Sequence, residues 1–200
     1  MVDFDSEESE YVSQRFHDLD RSGGEINFKE FDGCTFTGCD FSEATLESCK
    51  FVDCQFTKCN LSIMKLGKSK FLDVIFDDCK MIGIDWTRAS WSNITLSSPI
   101  KFFRCMISDS CFFGLELEEI VFEKCKAHDV DFREANFSKA DFSSTDLTHS
   151  LFGHTNLSGA NFTDATNFNI DVLNNNIKRA KFCTLEAVRL LASLDIELVD

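Results

Sequence analysis

The sequence predicts an all-β solenoid, and three observations predict it. A large apolar residue stands at every fifth position over most of the 200 residues, a small residue stands two places before it, and positions twenty apart share a chemical type. A period of five fits neither a helix nor an alternating strand. It marks a repeat array, in which one unit cannot bury its own apolar side chain and relies on its neighbours to do so. Between Cys34 and Leu61 the centres are Phe36, Phe41, Leu46, Phe51, Phe56 and Leu61, and Cys34, Cys39, Ala44, Cys49, Cys54 and Cys59 precede them by two.

The array runs from Ile26 and Phe31 in steps of five to Trp86, Trp91 and Leu96. After Ser97, Ser98 and the only proline, Pro99, one step of six leads to Phe102. Steps of five then resume through Ile107, Phe112 and Leu117 to Phe162, with weaker centres at Asn167, Val172, Ile177 and Phe182. The spacing reads as a one-residue register shift at 97–101, a bulge at a corner, because Pro fixes φ and removes a ladder donor. With four units per coil, Phe31, Phe51, Phe71, Trp91, Phe112, Phe132 and Phe152 form one column. Phe102, Phe122, Phe142, Phe162 and Phe182 form another, and Ile26, Leu46, Leu66, Trp86 and Ile107 a third. Stacked rings gain about 0.5–1.5 kcal/mol per pair beyond their buried area, so columns of one kind make physical sense. The expected organisation is an acidic N-terminal cap at 1–25, about eight coils over 26–182, and a C-terminal helix and tail at 183–200.

Composition narrows the function. A net charge of −14, from 34 acidic and 20 basic residues, argues against direct binding of nucleic acid or of an anionic membrane, since either needs basic surface. The opening MVDFDSEESE has no apolar run, and nowhere do eighteen apolar residues follow one another. Neither a signal peptide nor a membrane span is therefore expected, and the protein is expected in the cytoplasm with its thiols reduced.

Cys34, Cys39, Cys49, Cys54, Cys59, Cys79, Cys105 and Cys125 all take the small inward position, and only Cys111 and Cys183 do not. They are expected to act as compact apolar filler. Stacked thiols about 4.8 Å apart miss the relaxed disulfide's Cβ separation of about 3.8 Å, and there is no C-x2-C pair for zinc. His149 and His154 fall on the outside of one coil, and no phosphate loop, dinucleotide fingerprint or zincin motif occurs. No catalytic residue, cofactor or metal is expected, and the chain reads as a binding protein and not an enzyme.

The unit, small–polar–Phe/Leu–polar–polar, resembles the pentapeptide repeat, with good matches at 135–137, 140–142 and 160–162. The resemblance covers about residues 26–182 and implies a right-handed quadrilateral β-helix. It also favours Asp before the centre, as at Asp40, Asp131 and Asp141. Less expected are like charges one coil apart, Asp53 with Asp73 and Asp109 with Asp129, and the cluster Glu116, Glu118, Glu119 and Glu123, because like charges facing across a ladder weaken it. Asp109, Glu116, Glu118, Glu119, Glu123, Asp129, Asp131 and Asp141 are the candidate acidic contact surface, although Lys50 and Lys70 also stack and make the surface mixed.

Beyond Phe182, Leu185, Val188, Leu191 and Ala192 share one face of a helix starting near Thr184, and Leu194, Ile196 and Leu198 alternate with acidic residues as in a strand. Leu185, Val188, Leu191, Leu194, Ile196 and Leu198 are the candidate homodimer interface, since a solenoid end must be covered. The segment from Asn174 to Asp200 is similar to the ending of the gyrase-protecting pentapeptide proteins of the Qnr, McbG and, most of all, AlbG types. That resemblance implies a two-fold dimer that mimics duplex DNA, binds DNA gyrase and shields it from poisons such as albicidin, quinolones or microcin. The result would be antibiotic resistance or toxin immunity, with topoisomerase IV open as a second partner. The long loops of many Qnr proteins are not expected here. Eight coils at about 4.8 Å give a rod of roughly 38 Å and a dimer of about 77 Å. Spread evenly, its charge averages about one unit per 2.7 Å, against ~1.7 Å for duplex DNA. The alternative is a β-helical scaffold or effector unrelated to topoisomerases.

Overall fold

The computed structural model describes residues 8–91 and 99–197. Each five-residue unit forms one side of a square coil, and about eight coils stack as a right-handed quadrilateral β-helix. The central residue and the one two before it point inward: Phe31, Phe36, Phe51 and Phe56, with Cys34, Cys49 and Cys54, are at most 4% exposed. The corner lies two residues past the centre, where the backbone enters the left-handed region in nearly every unit. Ser13, Asp18, Gly23, Phe28, Gly33 and Gly38 have φ between 50° and 65°. The repeated Asp or Asn before the centre has a local cause, because its side-chain oxygen accepts the N–H two residues on and closes the turn. Asp40 accepts from Ser42 at 2.8 Å, Asp141 from Ser143 at 2.9 Å and Asn156 from Ser158 at 3.2 Å.

All strand pairs are parallel and link residues of successive coils. Face one carries Glu10–Val12, Glu30–Asp32, Lys50–Val52 and Lys70–Leu72. Face two is the longest ladder, with Arg15–His17, Thr35–Thr37, Gln55–Thr57, Val74–Asp77, Ile100–Phe103 and Val121–Glu123 in order. Face three is a run of single bridges from Asp20 and Asp40 to Asp146 and Thr166. Face four begins with Glu25–Asn27, Thr45–Glu47 and Lys65–Gly67. Amides along a strand aim alternately up and down the axis: Ser13 N–H donates to Asp32 O in the next coil, and Glu30 N–H to Ser9 O in the preceding one.

Inside, rings stack by column and meet edge to face between columns. Phe36 lies over Phe56 at 4.4 Å and 6°, Phe102 over Phe122 at 5.1 Å and 2°, and Phe112 meets Phe122 at 5.3 Å and 88°.

The solenoid starts earlier than residue 26. Tyr11 stacks on Phe31 at 5.1 Å and Phe16 on Phe36 at 4.9 Å, so residues from Glu10 form the first coil and not a separate cap. The polar Arg21 at the next centre hides this coil from the pattern of large apolar residues.

Across Pro99 the register is 26 residues, not 21: Phe76 pairs with Phe102, Lys80 with Met106 and Asp85 with Cys111. The shift is one whole unit plus one residue, and not the single residue of a corner bulge. Trp86 therefore stacks on Phe112 at 5.8 Å, and the columns expected to join Trp91 to Phe112 and Trp86 to Ile107 are corrected. Leu96 and the rest of 92–98 lie outside the described residues. In the last coil Phe168, not Asn167, is buried, a further shift of one residue.

Ile63 occupies a corner at φ 60° and is 54% exposed. A residue with Cβ loses roughly 1–2 kcal/mol in that region, which Asn tolerates. Ile63→Asn is expected to raise stability by about 1 kcal/mol, read as a higher urea midpoint; an unchanged or lower midpoint contradicts the corner assignment.

Candidate functional site

The outward positions carry the charge, and the charge is uneven. Residues 1–49 hold 13 acidic and 3 basic side chains, a net −10 of the total −14. In the first two coils like charges oppose one another across the ladder, Glu10 with Glu30 on face one and Asp20 with Asp40 on face three. Beyond Arg15, Arg21 and Lys29 in the first coil, cations become frequent from the third, where Lys50 Nζ meets Glu30 at 3.1 Å and Lys68 approaches Glu47 at 3.8 Å.

The eight acidic candidates do not converge. Glu116, Glu118 and Glu119 share face one, but Lys139, one coil on, lies between Glu118 at 2.9 Å and Glu119 at 3.1 Å, and their carboxylates raise its pKa. Glu123 and Asp141 lie on face two, where Lys124 pairs with Glu123 at 2.9 Å and Asn161 donates to Asp141 at 3.1 Å. Asp109 and Asp129 sit at corners after face three, with His149 Nδ1 3.6 Å from Asp129. Asp131 is on face four, gripped by Arg133 at 2.9 and 2.7 Å, which holds its carboxyl below the usual range. Spread over four faces and largely paired, the set is no single patch. The twenty-residue spacing already places Lys139 beside Glu119, and a coil-by-coil count of charge already marks the N-terminal coils.

At the other end, Thr184–Ala187 is a helical turn continued by a 3-10 helix, Val188–Leu194. It docks on the last coil through Leu190, which packs against the core, and through Ser193, whose Oγ accepts from Val172 N–H at 3.3 Å. The other side is apolar and open: Leu185 is 89% exposed, Val188 50%, Leu194 39% and Ile196 53%, with Leu191 half-buried. The expected strand does not form at Leu194, which ends the 3-10 helix before a left-handed Asp195; Leu198 lies outside the described residues.

All ten cysteines are free thiols, and the eight at inward positions are buried. Burial pushes Cys54 up to about 12 and raises Cys34 and Cys49. Cys111 and Cys183 are half-buried. Among the described residues no three His, Cys, Asp or Glu converge as metal ligands, and no helix is long and apolar enough to cross a membrane.

The family profile described as "Pentapeptide repeat region" matches residues 29–99 and 84–162. The chain is a pentapeptide-repeat protein. No curated protein sequence matches it. Among solved structures it is similar to full-length QnrB1, a plasmid-mediated fluoroquinolone resistance protein, with a TM-score of 0.71 and 18% identity over 94% of this chain and 100% of that one. A trypsin-treated QnrB1 variant matches with a TM-score of 0.63 and 22% identity over 96% and 92%. At these identities the likeness is one of fold.

Alkylation of the native protein is expected to label Cys111 and Cys183 and to spare the other eight, a pattern read by peptide mass spectrometry; rapid labelling of Cys54 or Cys79 contradicts it. Asp146 gives a pH test. Partial burial works against its charged form, yet hydrogen bonds from Asn167, Thr148 and His128 hold its carboxyl well below the usual range. A depressed carboxylate stabilises the fold above its unfolded pKa and loses that effect as pH falls. Asp146→Asn should thus destabilise at pH 7, with the gap to the parent narrowing below about pH 4; a pH-independent gap removes the electrostatic explanation.

Proposed function

We propose that this pentapeptide-repeat protein binds DNA gyrase as a homodimer and shields it from topoisomerase poisons, acting in the cytoplasm without catalysis. The observation that carries the reading is the likeness to QnrB1 along the whole of that chain, since QnrB1 is a fluoroquinolone resistance protein. The AlbG-like ending and the open apolar side around Leu185, Val188 and Ile196 support a dimer joined through the C-terminal caps.

The charge distribution refines the DNA-mimic idea. In a cap-to-cap dimer the first two coils of each protomer lie at the outer ends, so the net −6 of residues 10–49, from nine acidic and three basic side chains, faces a basic groove at two separated places. Exposed charges of this kind act through encounter and are screened over about 8–10 Å at physiological salt.

Supercoiling assays with and without a poison test the reading. Protection and inhibition should both weaken with salt. Reversing Asp18, Asp32 and Glu43 to Lys should raise the half-inhibitory concentration by about tenfold or more. Reversing Glu116, Glu118 and Glu119 should do less, because Lys139 already offsets part of their charge. Ending the chain at Cys183 should give monomers in sedimentation and lose protection. Salt-independent inhibition, or none, favours the scaffold reading.

A further inference from the structure

The small inward positions form four columns along the solenoid. On three of them the side chain varies from coil to coil. Face four runs Ala44, Met64, Ile84, Ser110, Val130, Ser150, and face two passes from Cys34 and Cys54 to Val74, Ile100 and Ile120. On face three it is cysteine in five successive coils: Cys39, Cys59, Cys79, Cys105 and Cys125, followed by Thr145 and Ala165. The bridges Asp40–Asn60–Lys80–Met106–Lys126 on the adjoining residues fix this stacking. All five are at most 2% exposed, and Cys59 N–H donates to Cys79 Sγ of the next coil at 3.4 Å.

Neither hydrogen bonding nor size demands sulfur there. Cys59 and Cys79 donate to Phe36 O and Phe56 O of the preceding coil at 3.4 and 3.5 Å, but at equivalent inward positions Ser110 reaches Met81 O at 3.2 Å and Thr155 reaches Phe132 O at 3.0 Å. Alanine fills the same column at Ala165, and branched aliphatics fill the neighbouring one at Val74 and Ile100. What distinguishes an unbroken cysteine column is a line of soft donors at a fixed spacing.

We propose that this column, with the stacked Cys34–Cys54 pair on face two, is a binding site for a soft divalent ion of linear two-coordinate preference, mercury(II), held between the thiolates of successive coils. Coils repeat at about 4.8 Å, and two in-line metal–sulfur bonds of about 2.3 Å span about 4.6 Å. Zinc needs four tetrahedral ligands, and among the described residues not even three converge. Charge chooses between the remaining soft ions. A divalent ion with two thiolates is neutral and tolerable among Phe rings, whereas copper(I) or silver(I) with two thiolates leaves a buried negative charge. Binding breaks two S–H bonds, forms two metal–sulfur bonds and releases two protons, with no change of oxidation state. The raised thiol pKa values do not forbid it, because a coordinating thiol is deprotonated by the metal itself. Five thiols make two pairs and Cys34–Cys54 a third, so the folded chain should hold three ions.

The test uses the full chain carrying Cys111→Ser and Cys183→Ser, titrated with mercuric chloride, then desalted in the presence of glutathione. Native mass spectrometry should find three ions, with two protons released per ion, a sulfur-to-metal charge-transfer band, an unchanged β-type circular dichroism spectrum and a raised Tm. Zinc and cadmium should not be retained. Adding Cys59→Ala and Cys105→Ala leaves Cys39, Cys79 and Cys125 without adjacent partners and should reduce the count to one. No retained ion, retention only with loss of the β spectrum, or a count that ignores the two alanines would overturn the assignment.

Discussion

The structure depends on one repeated contact, a buried ring lying on the ring twenty residues earlier. A single five-residue unit has too little apolar surface to fold, and its parallel bridges are few. Stacking lets each coil use its neighbour as a wall, so the Phe36–Phe56 and Phe102–Phe122 geometries fix the coil height and with it every hydrogen-bond register. The corners follow from the same constraint. To return the chain to the axis after only five residues, the backbone enters the left-handed region at nearly every corner, even at Ile63 and Phe28. Stability therefore accumulates by coil, and both ends need special treatment: polar, heavily charged coils at one, a short helical cap at the other.

Much of this was legible in the sequence, because inward residues are the ones a period exposes. The centres from Ile26 to Trp86, the inward cysteines and the helix beginning at Thr184 follow from spacing alone. The failures have physical causes. Inserting one unit plus one residue changes the count by six, and a period of five sees only the odd residue; whole-unit insertions leave its phase untouched. The partners across the coils, Phe76 with Phe102 in the ladder and Trp86 with Phe112 in the stack, reveal the inserted unit. Arg21 at a centre concealed the first coil, though Tyr11 and Phe16 are in phase with it. Phe168 took the place that the spacing assigned to Asn167, because the larger apolar side chain wins the interior over strict periodicity.

The acidic surface was harder to read, since outward residues answer to neighbours one coil away as much as to their own unit. A cluster in the sequence such as Glu116, Glu118 and Glu119 acquires Lys139 from the next coil, while acids separated in the sequence, Glu10 and Glu30, become adjacent. Charge on a solenoid is best summed by coil and by face. So summed, this rod is not uniformly negative; it is a nearly balanced shaft with a negative end.

The alternation of amides up and down the axis, Ser13 to Asp32 and Glu30 to Ser9, bears on that end. In an α-helix aligned peptide units sum to a macrodipole; here neighbouring units oppose one another and nearly cancel. The backbone thus supplies almost no axial field, and the electrical polarity of the molecule is set by side chains alone. Evolution or an engineer can reverse, erase or relocate that polarity at corner positions without touching a ladder bond or a stacked ring. The fold is in effect an electrically neutral mast on which a charge pattern is mounted.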